Sequence, residues 1–354
     1  MKIVSYSDRN NGCFWYRQKI PFDCLKKNGL DVSCADKGDL VPNDMDLVHF
    51  ARGYEPGYEK FIFSLKERGV KIWYDLDDAM DLVKPWNPFH IPTQDNLGSY
   101  YFYLNQADFI TCTSEALKSH LSTLTRKPIF VSPNYFNPDE WRMQRPQTPG
   151  KLRVGFAGSC SHLKDLNVVL PVIGELQKKH DFTFVIVGID MGTPTLQDFY
   201  NKHKAAMGNK FEKHPFGIEL QKFYDHLKKI NHEWNEGVRW ELHSRNLARL
   251  DLDIGLCPLI DDDFNRCKTP IKFYEYALVG TPSISSKVTP YKEEALALAD
   301  NDFSSWYDAL DAMLTYQELR DSTLKAQRDY VFKNRDVNGH VEDLKKVILD
   351  GYAS

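Results

Sequence analysis

The sequence predicts an α/β protein of two doubly wound domains, each a parallel sheet with helices on both faces. Three observations predict it. Short apolar runs of strand length alternate with longer amphipathic segments of helix length through most of the chain. The pattern restarts after a stretch of breakers, Asn137-Pro138, Arg145-Pro146 and Thr148-Pro149-Gly150. Each half opens with the same order of strand, small-residue turn and helix. At 354 residues the chain also exceeds what one hydrophobic core usually holds. The expected boundaries are 1–140 for the first domain, 141–150 for the linker and 151–335 for the second domain. Residues 191–238 are longer and more polar than a usual α/β connection and are expected as an insertion. Residues 336–354 are expected as a C-terminal helix packing back on the first domain.

In the first half, residues 2–6 form a strand, and a loop from Ser7 to Gly12 follows it. Gly12 removes the side chain where a backbone would approach a ligand. Cys13 to Leu25 leads through Tyr16 and Arg17 into a helix that stops at Asn28-Gly29. Asp46 to Phe50 is a buried-type strand, closed by Arg52-Gly53-Tyr54. The next strand, Val70 to Tyr74, runs into Asp75-Leu76-Asp77-Asp78. Carboxylates at the C-terminal end of a parallel strand sit where ligand clefts open. Three within four residues exceed what a helix cap needs. Pro85 to Pro92 is a proline-rich aromatic loop, equally a lid or a packed surface loop. Residues 107–112 and 128–132 complete the strands.

In the second half, residues 152–157 form a strand and Gly158-Ser159-Cys160-Ser161-His162 a small-residue turn. Lys164 beside the following helix start suits a phosphate. His162 either donates to a ligand or caps that helix. Residues 182–187 form a core strand, and 238–241 are expected as another. Between 199 and 249, ten Lys or Arg face six Asp or Glu, with aromatics such as Tyr200, Phe211, Phe216, Phe223 and Trp240 interleaved. Such a mixture suits single-stranded or distorted nucleic acid. It suits solvated helices with an apolar face at least as well. Residues 253–259 form a strand, followed by the acidic turn Asp261-Asp262-Asp263 and then Arg266, Lys268, Lys272 and Glu275 around a helix start. That helix ends at Gly280-Thr281-Pro282, a glycine–proline stop. A strand end, a cationic turn and a helix start can hold an anion, and Glu275 can hold hydroxyls attached to it. A nucleoside diphosphate has both parts.

The net charge of −4 gives no general polyanion signature. The seven cysteines show no CxxC spacing, so reduced core thiols are expected and no metal site. The N-terminus lacks the apolar core of a signal peptide, and no run reaches the length of a membrane span. A soluble, cytoplasmic protein is the expectation.

The stretch Phe264-Asn265-Arg266-Cys267-Lys268, with Lys272, Glu275-Tyr276 and Gly280-Thr281-Pro282, resembles the GT-B glycosyltransferases of the family-4 type, also called glycosyl transferases group 1. Val154 to Ser159 with His162 and Lys164-Asp165-Leu166 looks like the start of that family's donor domain. Ala107-Asp108, Thr113-Ser114-Glu115 and Pro133-Asn134 look like the end of its acceptor domain. Tyr16-Arg17 with Pro21, and Asp77-Asp78, resemble a sub-branch of bacteria and phages.

The resemblance implies the GT-B fold, two Rossmann-like domains with parallel sheets facing across a cleft. It also implies transfer of a sugar from a nucleotide-sugar, expected as UDP-linked, with retention of configuration and without a metal or other cofactor. Glu275 matches the second glutamate of the family's Glu-x7-Glu pattern, which binds ribose. Cys267 stands at the first glutamate, a departure on the sugar side. Lys164 matches the lysine at the diphosphate. Ser159 stands where an arginine is usual, a second departure, and Arg266, Lys268 or Lys272 would replace its charge. Gly158 belongs to the same turn. Asp77, with Asp78, lies where many relatives carry a histidine beside the transferred sugar. Gly12 and Arg17 fall on the acceptor side. The expected acceptor is a saccharide or glycan. DNA carrying 5-hydroxymethylpyrimidines is the alternative, and a nucleotide-sugar-binding protein without catalysis is a third.

Overall fold

The computed structural model describes residues 1–6, 11–35, 44–52 and 57–354. The first four residues of the Ser7–Gly12 loop, and Gly53-Tyr54, lie outside these.

Two six-stranded sheets form, and every strand pairing in them is parallel. The first contains β1 (Lys2–Tyr6), β2 (Asp31–Ala35), β3 (Leu47–Ala51), β4 (Lys71–Leu76), β5 (Phe109–Cys112) and β6 (Ile129–Val131). Its order is β2-β1-β3-β4-β5-β6. The second contains β7 (Leu152–Ala157), β8 (Phe182–Val187), β9 (His232–Asn235), β10 (Ile254–Cys257), β11 (Ser283–Ser286) and β12 (Leu298–Ala299). Its order is β12-β11-β10-β7-β8-β9. Chain direction across each sheet reverses once, between β1 and β3 and between β7 and β10. Such switch points leave a crevice at the carboxyl ends of the strands. The turns after β3, β4, β7 and β10 carry Arg52, Asp77-Asp78, Gly158-Ser159 and the 258–272 segment.

The central strands are apolar and fully buried, as parallel strands covered on both faces must be. Edge strands are not. The expected strand at 238–241 is corrected: the strand is β9, which pairs with β8 from Phe184↔His232 to Val187↔Asn235. Trp240–Leu242 is one helical turn. Edge strand β9 is only half-buried, so its polar residues hid it, while the Val238-Arg239-Trp240 alternation imitated a strand. Residues 188–231 are the β8-to-β9 crossover, built on helices Leu196–Met207 and Pro215–Leu227, so the expected 191–238 segment takes in β9 as well. Phe199, Phe211, Phe216 and Phe223 are buried in the core of the second domain.

Two segments pass between the domains and pair with each other. Phe136 N–H donates to Arg335 C=O (2.9 Å) and Val337 N–H to Phe136 C=O (3.0 Å). The helix Val341–Ala353 then lies on the first domain, with Leu344 and Ile348 packed among Ile3, Phe22, Leu25 and Phe109. A Cβ at Gly351 would meet the Phe109 ring at 2.3 Å, so only glycine permits this approach. The 141–150 segment is pinned to the second domain. Arg145 bonds Val279 and Gly280 carbonyls and pairs with Asp253, while Asp251 accepts from the Gln147 and Thr148 amides. No described helix is long and apolar enough to cross a membrane.

Candidate active site

The second-domain wall of the cleft starts at the turn after β7. Gly158 leaves room for the Lys272 stem, since a Cβ there would stand 2.9 Å from Lys272 Cε. Lys272 lies near the start of the helix Ile271–Val279 and reaches back to this turn. Its Nζ is 2.9 Å from His162 Nε2, and His162 Nδ1 is 2.7 Å from Asp165 Oδ2. Asp165 Oδ1 accepts from the Ile260 amide (2.8 Å). This chain fits a neutral imidazole with its proton on Nδ1, so that Nε2 accepts from the ammonium. Burial holds the His162 pKa well below its ordinary value, with Lys272 and Lys268 adding to the effect. Burial and the Lys268 charge bring Lys272 down to about 8. Burial raises the Asp165 carboxyl to about 6 against the pull of the lysines. Lys268, one turn before Lys272, packs over the Phe264 ring at 4.6 Å. Among the described residues neither lysine has a carboxylate within ion-pair distance. The helix Leu163–Leu176 points its positive end at the same place. Both lysines are half-buried, and cations withdrawn from water are normally paired, so the cluster has the charge to hold an anion.

Three residues beyond Lys272 on the same helix stands Glu275, buried at 4% exposure. Its Oε1 accepts from Tyr16 Oη (2.9 Å), which comes from the first domain. His243 Nε2 lies 3.1 Å from its Oε2 without a well-angled hydrogen bond. Trp240 stacks on His243 at 4.3 Å and 11°. Beyond this group is a concavity of about 780 Å³, walled by Trp15, Trp141, Trp240 and His243. The buried Trp15 Nε1 has no hydrogen-bond partner.

The first-domain wall is formed at the ends of β3 and β4. Register pairs Ala51 with Asp75, so Arg52 stands beside Asp77 and Asp78. Its guanidinium lies 3.6 Å from Asp77 and 3.3 Å from Asp78, and donates to Cys13 Sγ. Arg52 adopts φ +50°, a left-handed backbone that costs a non-glycine residue energy. Asp77 Oδ1 is buried without a hydrogen-bond partner among the described residues. Between the two walls is a cleft of about 470 Å³, lined by Asp78 and Arg52 on one side and His162, Ser159 and Lys268 on the other. Phe14, Phe50, Phe89 and Tyr103 make its first-domain surface aromatic. The Pro85–Pro92 loop closes one flank, with Asn87 and Phe89 in the lining and Trp86 under Lys164 Nζ at 3.3 Å.

Ser159, His162 and Lys268 therefore line the cleft on one side and Asp78 on the other, with Lys272 behind His162 and against Gly158, Glu275 three residues further along the same helix, and Asp77 beside Arg52. Other expected site residues lie elsewhere. Lys164 is engaged with Trp86. Arg266 is exposed and paired with Asp261 and Asp263, so its charge is spent on the acidic turn. Cys267 is buried among first-domain core residues, and its carbonyl accepts from Ser114. Gly12 faces the second domain, where a Cβ would touch the Trp240 ring at 3.0 Å. Arg17 lies under the cleft floor. It grips Asp75 with two bonds of 2.8 and 2.6 Å and donates to Ser132 C=O and Asn134. Burial opposes ionisation of Asp75, but Arg17 and His49 hold its carboxyl below the usual range. Arg17→Ala strands this carboxylate, and should cost about 3–5 kcal/mol of stability. Calorimetric melting checks this, and an unchanged transition would refute the role. Sequence reasoning missed Arg52, Tyr16 as a cross-domain donor, Trp240 and His243 as site residues. Their roles depend on strand register and domain contact, for which the chain carries no local signal.

No family model and no curated protein matches the chain. Solved structures match it over its full length. A sucrose-phosphate synthase from Thermosynechococcus elongatus is 12% identical, covers 100% of both chains and has a TM-score of 0.68. An α-glucosyltransferase solved with UDP-glucose and DNA containing an abasic site is 13% identical, with 100% of both chains covered and a TM-score of 0.67. A glycosyltransferase from Rickettsia africae is 13% identical, with 99% and 98% covered and a TM-score of 0.63. The chain has the GT-B fold. Within this GT-B frame, the Lys272 cluster lies at the β7/β10 switch point of the second sheet, and Arg52, after β3, stands at the β1/β3 switch point of the first with Asp77 and Asp78 beside it.

Proposed function

We propose that the chain is a retaining glycosyltransferase that moves a sugar from a UDP-linked donor to a saccharide hydroxyl. The observation that carries this is the pair Lys268–Lys272, without a carboxylate in ion-pair distance among the described residues, with Lys272 about one helical turn from Glu275. The diphosphate meets the lysines and the start of the helix Leu163–Leu176. Ribose meets Glu275. The base lies toward the concavity walled by Trp240 and His243. His162 and Asp165 aim the Lys272 ammonium.

As the sugar C1–O bond to the diphosphate breaks, charge grows on the phosphate oxygens, and fixed cations lower that barrier. The acceptor oxygen bonds to C1 on the same face. Its proton passes to the leaving phosphate oxygen, and UDP departs. Asp77 and Asp78, held by Arg52, orient the sugar or acceptor hydroxyls. The chain itself supplies the positive charge, so EDTA treatment should leave the rate unchanged.

A second acceptor, DNA with hydroxymethylated pyrimidines, is favoured by the full-length fold similarity to the α-glucosyltransferase solved with DNA. Against it, Phe199, Tyr200, Phe211, Phe216 and Phe223, most of the aromatics that suggested a stacking surface at 199–249, are core residues, and Trp240 alone of those named lines the concavity. The test is release of UDP from labelled UDP-sugars, with saccharides and hydroxymethylcytosine DNA as separate acceptor arms. Label on saccharide supports the proposal, and label on DNA alone moves it to the second acceptor. UDP binding with no turnover of any nucleotide-sugar would leave a binding protein and end the proposal.

A further inference from the structure

Tyr16 belongs to a short π-helical segment, Trp15–Lys19, inside the first helical stretch of the chain. Wide turns of this kind cost regular hydrogen bonding and recur at functional sites. Here the segment sends neighbouring side chains to two buried carboxylates. Arg17 goes to Asp75 in its own domain, and Tyr16 goes across the cleft to Glu275. Tyr16 is 4% exposed. Burial first, then the Glu275 charge, holds its hydroxyl protonated, so it acts as a donor. Its ring packs edge-on against Trp240 at 5.9 Å, beside the close approach of Gly12 to the same indole.

A carboxylate has two oxygens and about four acceptor positions. Tyr16 fills one on Oε1, and His243 sits against Oε2. His243 makes no well-angled bond, so at least one position on each oxygen is left, enough for the two donors of a vicinal diol. An unrestrained carboxylate would sample many planes, whereas this one is held through Oε1 by the Tyr16 hydroxyl. The fixing group on Oε1 comes from the first domain, so it depends on the contact between the domains.

We propose that Tyr16 is a positioning residue that sets the Glu275 carboxylate for the ribose diol, so that the nucleotide grip is complete only in the closed molecule. This rests on the assignment of Glu275 to ribose made above. It adds a first-domain residue to a donor grip otherwise confined to the second domain, and it makes selection for ribose over 2′-deoxyribose depend on closure.

The test compares UDP with 2′-deoxy-UDP by calorimetry on the full chain, in the wild type, Tyr16→Phe and Glu275→Ala. Phenylalanine keeps the ring against Trp240 and removes only the donor. The expected result is a wild-type preference for UDP that falls by about tenfold in Tyr16→Phe, with a smaller closure on UDP addition in X-ray scattering. A merely structural bond would lower stability and leave the ribose-to-deoxyribose ratio unmoved, and that result overturns the proposal. Tighter UDP binding by Tyr16→Phe also overturns it, since the phenol would then be a competitor for Glu275. If wild-type and Glu275→Ala proteins bind UDP alike, the ribose assignment itself fails and takes the proposal with it. If Glu275→Ala loses binding while Tyr16→Phe keeps the wild-type ratio, only the role of Tyr16 fails.

Discussion

Lys272→Met is expected to slow sugar transfer by about 100- to 1000-fold, the range seen when one fixed donor to a developing oxyanion is removed. Methionine keeps most of the apolar stem that passes over Gly158 and removes the charge. Lys272 has no carboxylate partner among the described residues, only the neutral His162. Its burial beside Lys268 is unfavourable in the free protein, which is why its pKa falls to about 8. A leaving diphosphate relieves that cost most when its charge is greatest. The loss should therefore appear mainly in kcat and less in KM. Stability should not fall, because the variant loses a half-buried cation that has no carboxylate partner among the described residues. Steady-state kinetics together with thermal melting check both halves. A large drop in melting temperature with unchanged kcat would assign Lys272 to the fold.

Glu275→Ala is expected to weaken UDP binding by about 100-fold, from the loss of two hydroxyl bonds to a carboxylate. This variant also strands Tyr16 Oη and leaves His243 without its neighbour, so part of the effect would come through stability. Glu275→Gln separates the two. It retains an oxygen for Tyr16 and loses the charge and one ribose acceptor. Its melting temperature should stay near that of the wild type while UDP affinity still falls by about tenfold. Wild-type affinity in both variants would remove Glu275 from the nucleotide site.

The residues behind these two predictions were visible in the sequence because they share one helix and one turn. Lys272 and Glu275 are three apart on Ile271–Val279, and Gly158 and His162 sit in a single small-residue turn after β7. Local spacing fixes such neighbours. The alternation of strands and helices likewise announced both domains, since buried parallel strands such as β3 and β10 are continuous apolar runs. Edge strands gave no comparable signal. β2 alternates exposed Asp31 and Ser33 with buried Val32, and β12 is two residues long. Arg52 looked like the end of a strand. Its contact with Asp77 and Asp78 exists only because β3 and β4 are neighbours in register. Tyr16 and Trp240 acquire their roles from contact between domains. The aromatics of 199–249 were ambiguous by composition, and tertiary packing decided for the core. Arg266 was attractive as a phosphate ligand until its side chain was found turned to Asp261, a competition that charge content alone does not rank.

The anion site makes one demand that a different use of the cleft would not. Lys272, at about 8 in the free protein, must be protonated when it meets a diphosphate, so its pKa rises on binding. Below pH 7 the lysine is already charged and takes up no proton on binding. Above pH 8, binding must draw a proton from solution, and affinity should fall as the pH rises further. Titrating UDP into the protein at pH 8.5 in two buffers of different ionisation enthalpy counts these protons directly. The structure predicts uptake of about 0.8 proton by the wild type, close to the share of a pKa-8 group that is neutral at that pH, and none by Lys272→Met. Binding without proton uptake, or uptake that persists in Lys272→Met, would contradict a diphosphate held at Lys272.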